Sequence, residues 1–200
     1  MGLAIQYEEG QTPIDEDEKD GLLIPSVTTR EELDEVEQRN IEQAVRWTIE
    51  RRKKFTADEI FSEQLVRDLH TRMLGEVWEW AGKFRNSNKN IGVDKYQISI
   101  ELQKLFDDCK FWVANNTYSP DEIAIRAKFR IVSIHCFPNG NGRHSRLYAD
   151  IIAENLFNLP AYSWGMGNPV QLVEIRAKYL NSLRQADRGD FQPLIEFAKS

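Results

Sequence analysis

The chain reads His-Cys-Phe-Pro-Asn-Gly-Asn-Gly-Arg-His-Ser-Arg from His135 to Arg146. A histidine that can accept a proton precedes a short loop whose glycines, Gly140 and Gly142, let the backbone approach an anion without an intervening Cβ. A helix that begins just after this loop would point its unpaired N–H groups at the anion. Arg143 and Arg146 would lie on one face of that helix, as two bidentate phosphate donors should. The stretch therefore predicts a polyphosphate site with a base beside it.

This segment resembles the Fic signature, H-x-F-x-[D/E]-G-N-G-R-x-x-R, at every fixed position except Asn139, where an acidic residue is usual. The strip from Gly75 to Arg85 is similar to the one that precedes the target-binding flap in Fic and Doc proteins. An acidic N-terminal arm and the helix start Thr-Arg-Glu-Glu-Leu at Thr29 further resemble the subfamily called mobile mystery protein B. The resemblance covers nearly the whole chain. It implies an all-α Fic fold, a compact helical domain with a small β-hairpin flap before the motif-bearing helices.

The same resemblance implies a protein adenylyltransferase, a nucleotidyltransferase that moves AMP from ATP to a hydroxyl side chain of a target protein. His135 would be the catalytic base, since an imidazole with a pKa near 6.5 needs little change to be neutral at pH 7. Phe137 would bury its ring and so position the loop that carries the base. The remaining motif residues would bind the phosphates of ATP, with the Asn141 side-chain amide and the loop N–H groups completing an anion hole: Asn139, Gly140, Asn141, Gly142, Arg143 and Arg146.

Asn139 is the departure from the pattern that bears on the reaction. In most Fic enzymes the acidic residue holds the Mg²⁺ that bridges the phosphates, and an Asn carbonyl is a weaker ligand for such a cation. AMP transfer remains the leading prediction, because the related Doc proteins, which transfer a terminal phosphate, have Lys where this chain has Gly142. A Fic enzyme that uses another nucleotide is the alternative. Cys136 beside His135 is interpreted as a packing residue and not as a nucleophile.

A flap is predicted between Phe84 and the short run Tyr96 to Ile98, which are separated by turn-forming residues. In the Fic fold the equivalent hairpin adds a target peptide as an extra strand. The target-docking residues would then be Asn88, Lys89, Asn90, Ile91 and Gly92.

Inhibition has two candidate sources. Many Fic proteins are silenced by a glutamate in a motif [S/T]-x-x-x-E-[G/N] that pairs with the second motif arginine, here Arg146. The segment Leu33-Asp34-Glu35-Val36-Glu37-Gln38 matches that motif only at Glu37, which is otherwise interpreted as a solvated helix carboxylate. The other source is a separate chain, because the subfamily is typically encoded beside a small helix-turn-helix, antitoxin-like partner. The chain would then be the toxin-like member of a pair.

Helix starts and ends are indicated by local chemistry. Capping boxes are formed by Thr29 with Glu32, Thr56 with Glu59, and Ser119 with Glu122. The Ser119 helix should run to about Ile134, and a second helix from Asn141 to about Phe157. Asn168 and Pro169 indicate a further helix, which Gly189 and Asp190 separate from the last one. The predicted organisation is an acidic arm over 1–28, with its densest charge from Asp15 to Asp20, and one domain over 29–200, with a core at about 56–160 and C-terminal helices at 168–200.

Composition sets outer limits on function. The 200 residues have a net charge of −6, which argues against direct binding of nucleic acid. Two unpaired cysteines and the absence of a long apolar stretch predict a cytoplasmic protein outside the membrane. Two classes without transfer chemistry stay open, a nucleotide-binding regulatory subunit and an inactive partner that acts through the flap and the acidic arm.

Overall fold

The structure is a computed structural model that describes residues 19–51, 53–165 and 172–200. The part of the acidic cluster before residue 19 and the predicted helix start at Asn168 and Pro169 lie outside the described residues.

Helices account for most of the described residues, which confirms the all-α prediction. They are α1 Arg30–Glu50, α2 Ala57–Ile60, α3 Glu63–Leu74, a 3₁₀ turn Lys95–Gln97, α4 Ile98–Asn115, α5 Pro120–Ile134, α6 Asn141–Phe157, α7 Leu172–Asp187 and α8 Gln192–Lys199.

All three predicted N-caps are present, but only two of the three predicted capping boxes are complete, because the Glu122 carboxylate pairs with Arg126. Thr29 and Thr56 each form a reciprocal capping box, and the Ser119 side chain accepts a hydrogen bond from the Glu122 N–H at the start of α5. The bounds of α5 and α6 match the predicted ones. The helix predicted after Thr56 is instead broken, because α2 ends at Ile60 and the Ser62 side chain caps a new helix by accepting from the Leu65 N–H.

The β-hairpin prediction is wrong for the described residues between Phe84 and Ile98. Residues 83–94 form an irregular loop, and Tyr96 lies in a 3₁₀ turn that leads directly into α4. Two observations explain the difference. The Asp94 side chain caps that turn by accepting from the Tyr96 N–H at 2.9 Å. The loop carbonyls of Ser87 and Val93 accept hydrogen bonds from a side chain, that of Arg85, instead of from an opposite strand.

The core lies between the two motif-bearing helices and their neighbours. α5 packs against α6 and α4, α6 also packs against α3, and α1 covers α3. Cys109 and Cys136 are both fully buried free thiols, and burial raises the pKa of each to about 12, which supports the packing interpretation of Cys136. Such thiols are not nucleophiles at neutral pH.

The end of the predicted arm is attached to the domain. The Leu23 N–H donates to the Val77 carbonyl at 2.8 Å, and the Glu79 N–H donates to the Gly21 carbonyl at 2.8 Å. Within the three described ranges, no helix is both long enough and apolar enough to cross a membrane.

Candidate active site

His135 ends α5 in a left-handed backbone conformation, with φ 57° and ψ 62°. Only a few per cent of residues other than glycine adopt a positive φ, and such residues are concentrated at functional sites. The side chain is only 4% exposed, and burial lowers the pKa of His135 to about 4, with the Arg85 charge acting in the same direction. A hydrogen bond with the Val132 backbone opposes this shift. The imidazole is therefore neutral at pH 7 and can accept a proton.

The loop after His135 is closed by its own residues. The Phe137 N–H donates to the Asn141 side-chain oxygen at 2.9 Å, and the Asn141 amide donates back to the Phe137 carbonyl at 2.8 Å. The Gly140 N–H donates to the Asn139 side-chain oxygen at 2.6 Å. The Asn141 amide and the Gly140 N–H, both expected to face phosphate, thus bond within the loop. The first bond of α6 runs from the His144 N–H to the Gly140 carbonyl, so the amides that precede it are those of residues 141–143.

Position 140 requires a glycine, because its backbone conformation and its neighbours leave no room for a side chain. Its φ is +77°, and a Cβ there would lie 2.6 Å from Leu74 Cδ1 and 3.2 Å from His70 Nε2. A Cβ at Gly142, in contrast, would meet no atom within 4 Å. The loop therefore packs on α3 at Gly140, and open space begins at Gly142, the second residue of α6.

Phe137 is buried, as the sequence predicts, with 1% of its surface exposed. Its ring stacks on the His70 ring with 3.7 Å between centroids and an interplanar angle of 22°. It also meets Phe84 at 5.5 Å and His144 at 5.2 Å. The positioning role of Phe137 remains a prediction.

His70 supports the loop from α3, and the sequence did not reveal this. The Gly82 N–H donates to its Nδ1 at 3.0 Å, so Nε2 carries the proton and donates to the Asn139 carbonyl at 3.0 Å. Burial places the pKa of His70 well below its ordinary value. His144 contacts the Val66 carbonyl, and burial lowers its pKa to about 4. Both rings therefore hold backbone groups of the domain in place.

The two motif arginines have different neighbours. Arg143 Nη1 lies 2.6 Å from Glu37 Oε2 on α1. The Arg146 guanidinium lies 5.9 Å from the ring centroid of Tyr179 on α7. Burial lowers the pKa of Arg146, and the Arg143 charge acts in the same direction, which places the two cations close enough to interact. Together they can hold more than one charge of a polyanion.

Glu37 is buried, with 2% of its surface exposed, so the solvated-carboxylate interpretation is wrong. Its Oε1 accepts a hydrogen bond from Trp78 Nε1 at 2.6 Å, and its Oε2 pairs with Arg143. The expected pairing with Arg146 is also wrong, because the Glu37 carboxylate pairs with Arg143 in the first turn of α6, and Arg146 lies one turn further, near Tyr179 of α7. Trp78 is a second residue of this site that the sequence did not reveal.

Asn139 offers the single neutral oxygen that the sequence predicts as a weak Mg²⁺ ligand. Its side chain is half-buried and offers a neutral oxygen that already accepts from the Gly140 N–H. No cluster of three or more His, Cys, Asp or Glu side chains suited to a metal occurs among the described residues. Mg²⁺ commonly keeps several waters and substrate phosphates as ligands. The residues present fit a Mg²⁺ that a nucleotide carries.

The predicted docking loop lies directly against the base. At Gly92, with φ +97°, a Cβ would be 2.7 Å from His135 Cβ. Asn88 fixes the loop by donating to Asp94 at 2.8 Å and accepting from the Lys95 N–H at 2.8 Å. Ile91 is 49% exposed at its surface.

The centre of this α-helical protein is thus two helices joined by a glycine loop, with a neutral histidine before the loop and two arginines after it. Residues 60–153 match the family model described as the Fic/DOC family. The chain thus carries a Fic/DOC family domain. The narrower subfamily assignment stays a prediction.

Curated relatives of the chain are named for one activity. The chain is similar to protein adenylyltransferase fic-1 of Caenorhabditis elegans, with 28% identity over 185 residues, which are 88% of this chain and 33% of the relative. It is 31% identical over 137 residues to protein adenylyltransferase Fic of Drosophila willistoni, covering 66% of this chain and 26% of the relative. The chain spans about a third or less of these relatives' length.

Solved structures have the same fold. Residues 134–508 of C. elegans Fic-1 superpose with a TM-score of 0.61 at 25% identity, covering 90% of this chain and 51% of that one. The BepC protein of Bartonella tribocorum, a VirB-translocated effector solved with bound AMPPNP, superposes with a TM-score of 0.64 over 92% of this chain and 97% of that one. Its identity of 16% shows the fold alone.

Proposed function

We propose that the chain is a protein adenylyltransferase that transfers AMP from ATP to a Ser, Thr or Tyr hydroxyl of a target protein. The observation that carries the proposal is the neutral, buried His135 next to the glycine loop and the arginines of α6. The curated relatives are named protein adenylyltransferases, which supports transfer of AMP. BepC binds AMPPNP, an analogue of ATP, which supports ATP as the nucleotide.

The proposed reaction assigns one role to each of these groups. His135 accepts the proton of the target hydroxyl, whose oxygen forms a bond to the α-phosphorus of ATP. The bond between that phosphorus and the oxygen that bridges to the β-phosphate breaks, and pyrophosphate leaves. The amides at the start of α6, together with Arg143 and Arg146, stabilise the negative charge of the phosphates. Phe137 and the Asn141 side chain hold the loop in place during this step.

Magnesium belongs to this proposal as a companion of the nucleotide. Asn139 would contribute one neutral oxygen to it, and the phosphates and water the rest. When bound, the cation neutralises part of the charge on the phosphates.

Target docking is proposed at the loop that contains residues 88–92. An extended peptide could pair with the exposed backbone of this loop, next to His135, without a preformed strand. Ile91 offers an apolar contact beside that edge.

Glu37 is proposed as an internal brake. Its carboxylate already pairs with Arg143, so a phosphate that needs this guanidinium must displace it. The cytoplasmic location, the toxin role and the helix-turn-helix partner stay predictions.

The test is transfer of label from ATP labelled at the α-phosphate, in the presence of Mg²⁺ and a host lysate. Wild type and Glu37→Gln are compared, each with and without His135→Ala. Loss of the general base should reduce transfer by roughly 10²- to 10⁴-fold while ATP still binds. ATP labelled at the γ-phosphate separates AMP transfer from phosphate transfer. Undiminished labelling by His135→Ala would remove His135 from the reaction, and ATP binding without any labelling would favour a regulatory protein.

A further inference from the structure

Arg85 is a buried cation. Its backbone partners lie in the irregular loop of residues 83–94 and at His135 and Cys136, where α5 ends. The residue is 3% exposed. It has four backbone contacts: Nε donates to the His135 carbonyl at 2.6 Å, the N–H donates to the Cys136 carbonyl at 2.9 Å, Nη1 donates to the Ser87 carbonyl at 2.8 Å, and Nη2 donates to the Val93 carbonyl.

We propose that Arg85 is the positioning residue for His135, holding the base and the docking loop together as one unit. This inference rests on the proposed function, in which His135 is the base. His135 has a positive φ, which would relax readily if nothing held its carbonyl. One guanidinium fixes that carbonyl and both ends of the loop that covers the ring.

The geometry calls for arginine. A guanidinium presents donors at fixed angles in one plane, whereas an ammonium is a compact charge on a flexible stem. Here the donors serve three carbonyls, those of Ser87, Val93 and His135, from three directions. Removal of the side chain would leave buried carbonyl oxygens without these hydrogen-bond donors.

Besides holding His135 in position, Arg85 lowers the pKa of His135 through its charge. Burial is the largest cause that lowers the pKa of His135, and the Arg85 charge is the next. Lys89 of the same loop acts in the same direction, while the Val132 backbone on α5 opposes them. Burial lowers the pKa of Arg85 itself, and the charge of Asp94 acts in the opposite direction. Arg85 thereby adds to the effect of burial in favouring the neutral imidazole, the form that accepts a proton.

Gly92 gives an independent test of the same unit. A Cβ at this position would lie 2.7 Å from His135 Cβ, 3.0 Å from the Ile134 carbonyl oxygen and 3.1 Å from Arg85 Nη2. Gly92→Ala therefore pushes the loop away from the base while the Arg85 side chain is retained.

The experiment follows the ring protons of the three histidines by NMR as a function of pH. His135→Ala identifies the His135 signal. Arg85→Met should raise the pKa of His135 by about one unit, and the pKa values of His70 and His144 should not move. Arg130→Met is the control. Arg130 lies on α5, the helix that ends at His135, and pairs with Asp108 at the surface, so this variant removes a cation that does not contact the base. An unchanged His135 pKa in folded Arg85→Met would overturn the proposal.

Two further variants cover the remaining outcomes. If Arg85→Met does not fold, Gly92→Ala provides the test. Hydration of the uncovered ring should move the pKa of His135 towards 6.5. An unchanged pKa would reject the proposal that His135 and the docking loop are held together. Arg85→Lys keeps the charge and loses the fixed donors, so kcat for AMP transfer should fall at least about tenfold with ATP affinity unchanged. An unchanged kcat would reject the positioning role. The NMR result does not require transfer, so it separates failure of this inference from failure of the proposed function.

Discussion

Glu37 and Arg143 form a salt bridge across 106 positions of the chain, with Glu37 Oε2 2.6 Å from Arg143 Nη1. The other carboxylate oxygen accepts from Trp78 Nε1, so the acid is held on both sides. The Glu37 side chain is 3% exposed and that of Arg143 is 28% exposed, which leaves the guanidinium reachable from solvent. A phosphate approaching the start of α6 therefore competes with Glu37 for the same cation.

Glu37→Gln should increase ATP affinity by about tenfold, because it removes the carboxylate that competes for Arg143 while keeping a side chain of similar size. AMP transfer should rise with it. Calorimetry with ATP and labelling from α-labelled ATP measure the two effects. Glu35→Gln is the matched control on α1, since Glu35 pairs with Arg39 at the surface. If ATP affinity and transfer stay at the wild-type level in Glu37→Gln, inhibition comes from another chain or is absent.

A double-mutant cycle with Arg143 tests whether the brake acts through the salt bridge. Arg143→Ala alone should weaken ATP binding, and Glu37→Gln should have little effect on ATP affinity in the Arg143→Ala background. The measurement is again calorimetry. A gain from Glu37→Gln that persists without Arg143 would show that Glu37 acts by another route.

Arg146→Ala should weaken ATP binding by roughly tenfold to a hundredfold, the loss expected for one charge-assisted contact. The change should leave the fold intact, because the Arg146 guanidinium lies 5.9 Å from the ring centroid of Tyr179 and has no ion pair among the residues that the structure describes. Calorimetry gives the affinity, and the thermal midpoint reports the fold. Equal affinity in the variant would remove Arg146 from the phosphate site.

Acid should destabilise the fold through His144. Its folded-state pKa of about 4 lies below the ordinary value of 6.5, so the unfolded chain takes up the proton first as pH falls. The free energy of unfolding therefore includes a term of about 3 kcal/mol from His144. This term is fully present above pH 6.5 and is lost as the pH falls towards 4. Urea unfolding at pH 7 and pH 4 should show a smaller pH dependence for His144→Gln than for wild type. Equal pH dependence in the two proteins would contradict the buried neutral state.

Local signals predicted the helices well. The caps at Thr29 and Ser119 and the bounds of α5 and α6 depend on neighbouring residues, which a sequence displays directly. The β-hairpin prediction failed because of where one side chain lies: the Arg85 guanidinium is held on the His135 carbonyl, 50 positions away. The turn formers of the loop suggested a hairpin, but a single buried guanidinium takes up the loop carbonyls that a strand partner would have used.

The site was predictable where one motif holds its residues and not where distant elements meet. His135 and the α6 arginines are contiguous in sequence, whereas His70 meets Asn139 across 69 positions and Glu37 meets Arg143 across 106. Periodicity places Glu37 on a helix but cannot show which partner helix covers it. The choice of Arg143 over Arg146 depends on where the packing of α1 on α3 places the Glu37 carboxylate.

Asn139→Asp tests the one mismatch in the motif. An Asp oxygen can accept the Gly140 N–H as the Asn oxygen does at 2.6 Å, so the loop should keep its shape. What changes is one negative charge beside the place where a nucleotide would carry Mg²⁺. The Mg²⁺ concentration for half-maximal activity should fall by about tenfold, and AMP transfer should increase, because a hard dication prefers a charged oxygen.

The measurement is AMP transfer as a function of Mg²⁺ concentration at saturating ATP. Asn115→Asp is the control, because it adds the same charge at the exposed end of α4. A better metal site with faster transfer would mean that the neutral oxygen limits this chain's reaction. If transfer instead falls while ATP still binds, Asn139 is suited to a different leaving group or to a metal-poor site, and AMP transfer from ATP is the wrong reaction for this chain.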